Sequence, residues 1–406
     1  MWIHQIALKN FKCFKEVDIS FSKITLLTGE NSSGKSSLIY GILAPIQSVN
    51  FHIVSFPLYL SFNGNYVNMG GFGEVSFNHD LKNQIGIEMT LSADYFNPEL
   101  VRTKWYFDPN SKSPKLSSLN ISKTTPPFSE IEIKQKEDLS YIANYSNHNY
   151  GKDVRNLIIQ DFDDDIGGWI AHIHGGLYDS WILNPGFNFI SSFRSHPDRT
   201  YYQSLATDKV DKFGGGYIDQ ILEWNDNVAD ELYELVSILR ALKILHDIKL
   251  QRLSGGRFEL KVKVKGKSKW ASLADVGFGI SQFLPIIVAD LQLSDDSTLI
   301  MSQPEIHLHP SVQANLGNYL VKQVKERNKN YIVETHSEYL LNRMRLLIVT
   351  GEIKPEDVAV YYFENSIKDG SIAHRIEFTK DGQILNAPKG FFETYMIDTM
   401  DIALNA

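Results

Sequence analysis

Eight residues near the start of the chain have the types and the spacing of a phosphate-binding loop. The run GENSSGKS at Gly29–Ser36 matches the pattern G-x-x-x-x-G-K-[ST] at every fixed position. Glycines let such a loop curl until its N–H groups point at phosphate oxygens, and the N-terminus of the following helix adds partial positive charge. Lys35 can reach the β- and γ-phosphates, and the hydroxyl of Ser36 can ligate Mg²⁺. The residues predicted to bind ATP in this segment are Gly29, Asn31, Ser32, Ser33, Gly34, Lys35, Ser36 and Ser37.

A second group of polar residues follows an apolar run that predicts a strand. The run LIM leads directly into Ser302 and Gln303 and, two residues on, into Glu305. ATP hydrolysis needs, at the first two of these positions, an acid that holds Mg²⁺ through water and a glutamate that polarises the attacking water. We therefore predict Ser302 beside Mg²⁺, and Gln303 and Glu305 acting on the water. His307 and His309 are weak evidence for a metal site, because no second ligand cluster accompanies them.

Two interpretations are open for His336, which follows the apolar run YIV in the sequence ETHS. A histidine at the end of a core strand can hydrogen-bond a γ-phosphate or the water that attacks it. It can equally be a core histidine with internally satisfied hydrogen bonds. Its place downstream of a phosphate-binding loop favours the first interpretation, so His336 joins the catalytic candidates.

Two segments compete to contact the nucleotide of a partner subunit. Leu253–Gly256 spells LSGG, a sequence that some ATPases use for this purpose, but it lies between two strand-like segments, so no helix begins there. Residues 275–282 (DVGFGISQ) precede an apolar helical run from Phe283, with Pro285 tolerated in its first turn. A helix start can aim amides and a serine at a phosphate, which favours the second segment. Its candidate residues are Gly277, Gly279 and Ser281.

Strands and helices alternate at both ends of the chain, as an α/β core requires. Near the N-terminus the pattern predicts a strand at Ile24–Leu27 and a helix from about Ser36 to Ile46. Beyond residue 271 it predicts helices after Ser281, over Ser311–Glu326 and from Glu338, and strands at Thr298–Met301, Tyr331–Glu334, Val358–Phe363 and Ile376–Phe378, with a C-terminal helix after Gly390.

The middle of the chain is richer in aromatic residues, Asn and Ser, and reads as an insertion. Alternating segments at 84–96 and 103–109 predict antiparallel strands, whereas the polar residues 109–150 predict loops. DFDDDIG at 161–167 predicts an acidic turn, and Tyr217–Leu245 predicts a helix. The resulting division is 1–50 for the N-terminal part of the core, 51–250 for the mixed β and helical insertion, 251–350 for the C-terminal part, and 351–406 for a small α/β extension.

Residues 248–270 predict a β-hairpin that turns at Gly255–Gly256. Five lysines alternate along it, and their period of two places them on one strand face. They could hold nucleic-acid phosphates or an acidic partner, but a solvated hairpin edge that resists aggregation explains them equally well. The five are Lys261, Lys263, Lys265, Lys267 and Lys269.

The bulk composition narrows the class of protein. The 406 residues are 43% hydrophobic and 22% charged, which is typical of a globular protein with a sizeable core. A formal charge of −8 gives no bulk attraction to nucleic acid or membrane. The single cysteine excludes an intramolecular disulfide, and no apolar run reaches transmembrane length. We expect a cytoplasmic protein that has no membrane partner.

The ordered set of motifs carries a family resemblance. NFKCF, GENSSGKSS, LADVGFGISQ, QPEIHLHP and ETHSEYLLNR together resemble the AAA-15/AAA-21 group of ABC ATPases, the broad class of RecF, the double-strand-break-repair ATPases and the OLD nucleases. LNAPKGFFE resembles a small DUF3696-like tail found on one branch of these ATPases. The matched segments cover about 1–45 and 271–395, with a weak match near 189–199. The resemblance implies an α/β, ABC-type P-loop ATPase core, a mixed sheet flanked by helices, split by an α+β insertion.

The resemblance also implies roles for single residues. Lys12, in the turn after the first strand, would touch nucleotide phosphates. The segment around Ser281 would complete the ATP site of a second copy in a head-to-tail dimer or a larger oligomer, and His336 would be the switch histidine. Relatives that hydrolyse ATP well carry acids where this chain has Ser302 and Gln303, so tight binding of ATP and Mg²⁺ with slow hydrolysis is expected.

Three functions compete. The first is a nucleotide switch in bacterial anti-phage defence that works with a separately encoded effector, as in the PARIS-system and Septu ATPases. The effector would be separate because only about 55 residues follow the switch helix and they contain no D-x-D, too little for the Toprim nuclease of OLD-type relatives. The second is a RecF-like repair ATPase that clamps DNA. A transporter ATPase subunit ranks last, because the chain lacks an acidic strand end at Ser302 and Gln303.

Overall fold

The computed structural model describes residues 2–48, 60–92, 99–123, 129–135, 141–147, 155–159, 186–204, 209–366, 368–388 and 391. They form two compact units: the first draws on Met1–Phe21, Gly29–Gly186 and Phe363–Ala373, and the second on Ser22–Thr28, Phe187–Tyr362 and His374–Ala406. The division into four segments inferred from the sequence remains a prediction.

The described helices are α1 (Lys35–Ser48), α2 (Phe72–Val75), α3 (Tyr217–Asp226), α4 (Asp230–Ala241), α5 (Phe278–Gln292), α6 (Pro310–Arg327) and α7 (Glu338–Val349). The described strands are β1 (Trp2–Phe11), β2 (Phe14–Ser20), β3 (Ile24–Gly29), β4 (Ile85–Ser92), β5 (Glu99–Asp108), β6 (Ser113–Lys123), β7 (Ser129–Gln135), β8 (Tyr141–Asn147), β9 (Arg155–Ile159), β10 (Phe187–Ile190), β11 (Tyr201–Tyr202), β12 (Asp247–Arg252), β13 (Arg257–Lys263), β14 (Ala271–Ser272), β15 (Thr298–Ser302), β16 (Asn330–Glu334), β17 (Val358–Ser366), β18 (Gly370–Phe378) and β19 (Ile384–Leu385).

The first unit is built on an antiparallel sheet in the order β2-β1-β4-β5-β6-β7-β8-β9. In β4 the side chains of Ile85, Ile87 and Met89 alternate with more exposed neighbours, so one face of the strand is buried. The prediction of loops over 109–150 was wrong, because β6, β7 and β8 lie there. In β6 the apolar residues Leu116, Leu119 and Ile121 are buried although the strand is rich in Ser, Lys and Asn.

The second unit contains a parallel sheet in the order β10-β15-β16-β3. Every residue of β15 and β16 is buried, so these strands lack the alternation of a half-exposed strand. Helix α5 is buried over most of its length from Ser281 to Leu291. A second, small sheet has the order β11-β13-β12, with β14 paired to β13. The predicted α/β class is thereby confirmed, with parallel strands packed beneath helices.

Three sequence predictions about the second unit need correction. The helix expected over Tyr217–Leu245 is two helices, because Asn227 ends α3 and Val228 adopts a positive φ of +51°. The five-lysine face is interrupted, because β13 ends at Lys263 and the next three lysines follow in the connection to β14. Helix α5 begins at Phe278, five residues before the predicted run, so Pro285 lies within the helix and not in its first turn.

One further prediction is confirmed, and two concern residues outside the described ranges. The hairpin turn at Gly255–Gly256 is confirmed between β12 and β13. The acidic turn at 161–167 and the helix after Gly390 fall outside the described residues. None of the helices that the structure describes is long and apolar enough to cross a membrane.

Candidate functional site

The phosphate-binding loop of the first unit needs its two glycines for steric reasons. Gly29 and Gly34 adopt φ angles of +129° and +106°, which side chains rarely tolerate. A Cβ at Gly29 would lie 2.1 Å from the carbonyl oxygen of Phe363 in β17. A Cβ at Gly34 would lie 2.7 Å from the ring of Phe14 and 2.9 Å from the Sγ of Cys13. The loop is thus packed closely against its own unit on two sides.

The Lys35 ammonium group lies over this loop. Lys35 is only 4% exposed, and its Nζ donates hydrogen bonds to the carbonyl oxygens of Gly29, at 3.0 Å, and of Glu30. The buried Ser33 hydroxyl also donates to the Glu30 carbonyl, at 2.7 Å. Because the Ser33 hydroxyl is already used, a contact of Ser33 with nucleotide would have to come from its backbone N–H. The Lys35 ammonium group, by contrast, can exchange its carbonyl acceptors for phosphate oxygens.

Helix α1 begins directly behind the loop. The N–H of Leu38 bonds to the carbonyl of Gly34 at 2.9 Å, so the N–H groups of the first turn point out of the helix N-terminus. Ser36 and Ser37 lie in that turn and are half-buried, whereas Asn31 and Ser32 are exposed on the loop. This is the arrangement in which helix dipole and amides favour a bound anion.

A pocket of about 600 Å³ in the first unit adjoins the helix start. It brings together Lys12, from the β1–β2 turn, and Ser37, two of the predicted nucleotide ligands. Its opposite walls include Glu74 and, from the β17–β18 connection, Lys368. Burial lowers the pKa of Lys12, and the nearby Cys13 and Glu74 side chains partly offset that effect. Lys12 thus lies beside the helix that follows the loop, and its contact with nucleotide phosphates stays a prediction.

In the second unit, Ser302 and Gln303 lie at the C-terminal end of β15. Ser302 is a register partner of Glu334 on β16, and Glu334 in turn pairs with Leu27 on β3, the strand that leads into the loop. Gln303 has a positive φ of +46°, and its N–H donates to the Glu334 carbonyl at 2.6 Å. Both candidates are therefore at the carboxyl edge of the sheet, where α/β proteins bind ligands. The buried Glu334 carboxylate at this edge was not among the predicted residues.

Glu305 is a buried carboxylate with one oxygen in use. Its Oε1 accepts a hydrogen bond from the backbone N–H of His336 at 2.7 Å. Its Oε2 is buried and has no hydrogen-bond partner in the part of the chain that the structure describes. Burial raises the pKa of Glu305, and the hydrogen bond from His336 acts against it. An orphaned buried carboxylate oxygen suits a bound water or a hydrated cation, so the donor set fits Mg²⁺.

Arg194 is a functional candidate that the sequence reasoning missed. Its guanidinium donates to the carbonyl oxygens of Ser302, at 3.4 Å, and of Gln303, at 3.2 Å. Burial lowers the pKa of Arg194 to about 10, and the nearby Glu305 carboxylate partly offsets this. The only signal in the sequence was the weak family match near 189–199. Arg194 is positioned to hold the end of β15 and to balance the charge of Glu305.

His336 is exposed, so the interpretation as a core histidine is wrong. It directly precedes Ser337, which caps α7 by accepting a hydrogen bond from the N–H of Leu340 at 3.1 Å. The His309 side chain caps α6 by accepting from the N–H of Ser311 at 3.3 Å. No group of three or more His, Cys, Asp or Glu suited to a metal occurs among the described residues.

The segment around Ser281 forms the first turn of α5. The Ser281 hydroxyl is buried and donates to the carbonyl of Phe278 at 2.9 Å. Gly277 precedes the helix and is exposed, and a Cβ there would meet nothing within 4 Å. A Cβ at Gly279 would lie 2.4 Å from the carbonyl oxygen of His307. Gly277 is thus the accessible residue, whereas Gly279 permits close packing against the turn after β15.

This difference predicts that two matched substitutions lower stability by different amounts. Gly279→Ala should lower stability by about 1–3 kcal/mol, because the methyl group must displace the backbone at His307. Gly277→Ala should cost less than about 1 kcal/mol, because its only local penalty is a poorer helix N-cap. Thermal unfolding of the two variants checks this. Equal melting temperatures would show that the turn after β15 can move away without cost.

Comparisons with known proteins agree with the geometry. A family model described as AAA ATPase domain (AAA_15) matches residues 1–180 and 199–341, and a model described as a protein of unknown function (DUF3696) matches 353–402. The predicted group and tail are thereby confirmed. No curated protein matches.

Three solved structures are similar to this chain at low identity. The SMC head domain from Thermotoga maritima is similar at 12% identity and a TM-score of 0.39, over 92% of this chain and 98% of that one. An SmcHead bound to the C-winged helix domain of ScpA is similar at 13% identity and a TM-score of 0.46, over 94% and 99%. An Smc head domain with an extended coiled coil, bound to the C-terminal domain of ScpA derived from Pyrococcus furiosus, gives 12% and 0.43, over 99% of each chain.

The loop at Gly29–Ser36 and the family match over most of the chain lead to the same assignment. The chain belongs to the AAA ATPase domain family AAA_15.

Proposed function

We propose that this chain is a cytoplasmic ABC-type ATPase that binds ATP tightly, hydrolyses it slowly and acts as a nucleotide-controlled switch. The observation that supports this most directly is the contrast between its two motifs. The loop glycines, Lys35 and the α1 start are complete, whereas Ser302 and Gln303 replace both acids at the end of β15. The chain therefore has the residues that bind ATP but lacks the acids that usually support its hydrolysis.

Residues of the first unit would bind the nucleotide. The ammonium group of Lys35 would bind the β- and γ-phosphates, and the α1 amides would bind phosphate oxygens. Lys12 and Ser37 line the adjoining pocket, so they would contact the α-phosphate side of the nucleotide. The hydroxyl of Ser36 would hold Mg²⁺, which when bound neutralises charge on the phosphates.

Slow hydrolysis follows from the residues around β15. Gln303 can orient a water through its amide, as glutamine does in some GTPases. Unlike a glutamate, it cannot take a proton from that water. Glu305 is the next carboxylate along the chain, but one of its oxygens already accepts a hydrogen bond from the backbone N–H of His336. His336 is exposed and would sense the γ-phosphate. Arg194 would keep the Ser302 and Gln303 carbonyls in place during the cycle.

A second copy of the chain would complete the site. The exposed Gly277 and the α5 N-terminus are the groups that a partner's γ-phosphate would meet. Ser281 would first have to exchange its hydrogen bond to Phe278 for one to the phosphate. ATP would therefore favour a head-to-tail dimer or a larger ring, and hydrolysis would release it.

A carboxylate at position 303 tests the cause of slow turnover. Gln303→Glu should raise the rate of phosphate release roughly 100-fold, the lower end of what general-base catalysis provides. Steady-state phosphate release at saturating ATP measures this, with Gln303→Ala as the matched control. An unchanged rate in Gln303→Glu would mean that Glu305 already activates the water.

The biological setting rests on family resemblance alone. We propose anti-phage defence, in which the switch senses an infection signal and holds or releases a separately encoded effector, such as a nuclease. Phage plaque counts on cells that carry the chain with its neighbouring genes would test this. Protection that is unchanged when Lys35 is replaced would argue against a nucleotide switch in defence.

A further inference from the structure

One segment of the second unit carries a charge opposite to that of the whole chain. Residues 247–272 contain eight Lys or Arg and two acidic residues, although the chain as a whole has a formal charge of −8. These residues form β12, β13, β14 and their connections. A local positive charge of this density on an acidic protein indicates a surface for an anionic partner.

The sheet places like charges directly opposite each other. Lys249 on β12 is the register partner of Lys261 on β13, and Lys263 is two residues further along the same face. The other face of β13 is buried through Phe258, Leu260 and Val262, so the lysines point to solvent by alternation. Opposed lysines destabilise a strand pair, and folding alone gives no reason for this arrangement.

An exposed tryptophan lies among these lysines. Trp270 is 38% exposed, and its ring centroid is 6.0 Å from the ammonium nitrogen of Lys249 and 6.0 Å from that of Lys263. We call Lys249, Lys261, Lys263 and Trp270 the lysine–tryptophan face. A partly exposed aromatic ring beside several cations is a combination that binds nucleic acid, through stacking and through contacts to phosphates.

The positive charge of this face is little neutralised by the protein itself. Lys261 has Glu259 at 3.5 Å, but no ion pair involving Lys249 or Lys263 occurs within the described ranges. Asp247, the register partner of Lys263, lies 3.7 Å from Arg240. The nearby Lys265, Lys267 and Lys269 are exposed and extend the charge beyond the strand end.

We propose that the lysine–tryptophan face binds single-stranded nucleic acid. The lysines bind backbone phosphates, and Trp270 stacks on an unpaired base. A duplex keeps its bases stacked inside and would use only the charges, whereas an acidic protein would not need the exposed ring. The proposal stands apart from nucleotide binding, because it uses only residues of the small sheet.

Fluorescence anisotropy of a labelled oligothymidylate tests the proposal on the full chain. Trp270→Ala should weaken binding roughly 10-fold or more, the usual effect of removing one stacking partner. The triple substitution Lys249→Gln, Lys261→Gln and Lys263→Gln should weaken it further. It should also lower the slope of log affinity against log salt by about 0.7 for each phosphate that is no longer neutralised. Addition of unlabelled poly-glutamate should not displace the oligonucleotide.

The matched control is Lys82→Gln, Lys354→Gln and Lys380→Gln, which removes the same charge from exposed positions outside the small sheet. It should leave affinity within about twofold, since distant surface charges are screened by salt. Melting temperatures confirm that all variants fold. Unchanged affinity in Trp270→Ala, an equal decrease in the control, displacement by poly-glutamate, or tighter binding of duplex than of single strand would each overturn the proposal.

Discussion

Replacement of Lys35 by alanine should abolish ATP binding. The Lys35 ammonium group is 4% exposed and already held over the loop carbonyls, so it is organised for the phosphates before they arrive. The variant would lack two charge-assisted hydrogen bonds of about 1.5–3 kcal/mol each, which corresponds to roughly 100-fold or more in affinity. Isothermal titration with ATP and Mg²⁺ measures this, and gel filtration should show that any ATP-dependent oligomer disappears.

The matched control for this experiment is Lys354→Ala, a lysine whose side chain is 76% exposed. It should leave ATP affinity unchanged. Lys35→Ala also removes donors from the Gly29 and Glu30 carbonyls, so its melting temperature must be compared with that of the parent chain. A folded Lys35→Ala variant that still binds ATP normally would contradict the assignment of the loop as the nucleotide site.

Replacement of Asp290 by asparagine should strongly destabilise the second unit. Asp290 lies in α5, is fully buried, and accepts hydrogen bonds from the hydroxyls of Tyr319 and Tyr331. The buried Lys329 ammonium group lies 3.3 Å from the Asp290 carboxylate. Removing one charge of a buried pair costs about 3–5 kcal/mol, because the other remains uncompensated. The melting temperature should fall on the order of 10 °C.

A surface ion pair provides the control. Asp226→Asn breaks an ion pair of 2.5 Å with Arg252, whose side chain is 57% exposed, and should cost less than about 1 kcal/mol. Adding Lys329→Met to Asp290→Asn should restore part of the stability, because both buried charges are then gone. Similar melting temperatures for Asp290→Asn and Asp226→Asn would mean that Lys329 finds another acceptor without strain.

The Asp290 network also bears on the proposed switch. It joins α5, whose first turn carries Ser281, to α6 through Tyr319 and to the central strand β16 through Tyr331. The C-terminal end of α5 is therefore fixed to the sheet. Its N-terminal end is the part that would meet a partner's nucleotide, so engagement there would be transmitted through a firmly anchored helix.

The phosphate-binding loop could be predicted because its interactions are local. Lys35 bonds to carbonyls five and six residues earlier, and Gly34 precedes the helix that it starts. The strand before it and the helix after it follow from short apolar runs. The strands at 109–150 could not be predicted by composition, because the apolar face of β6 is visible only once its neighbours β5 and β7 supply the register.

The environment of the residues at the end of β15 could not be predicted, because it is made by distant parts of the chain. Arg194 bonds to the Ser302 carbonyl across 108 positions of sequence, and Glu334 reaches the same sheet edge only because β16 pairs with β15. The start of α5 at Phe278 was also missed. It follows from packing of Gly279 against the His307 backbone, an interaction that no local pattern reveals.

By itself, the sequence determined the family, the α/β class, the phosphate-binding loop motif and the absence of acids at positions 302 and 303, because each depends on residue types at short spacing. Only the tertiary structure decided that His336 is exposed, that Glu305 is buried with one oxygen free of hydrogen bonds among the described residues, and that Lys249 opposes Lys261 beside Trp270. Burial and register arise when strands far apart in the chain pair. Burial and register determine the charge environment of a side chain, which its residue type alone does not determine.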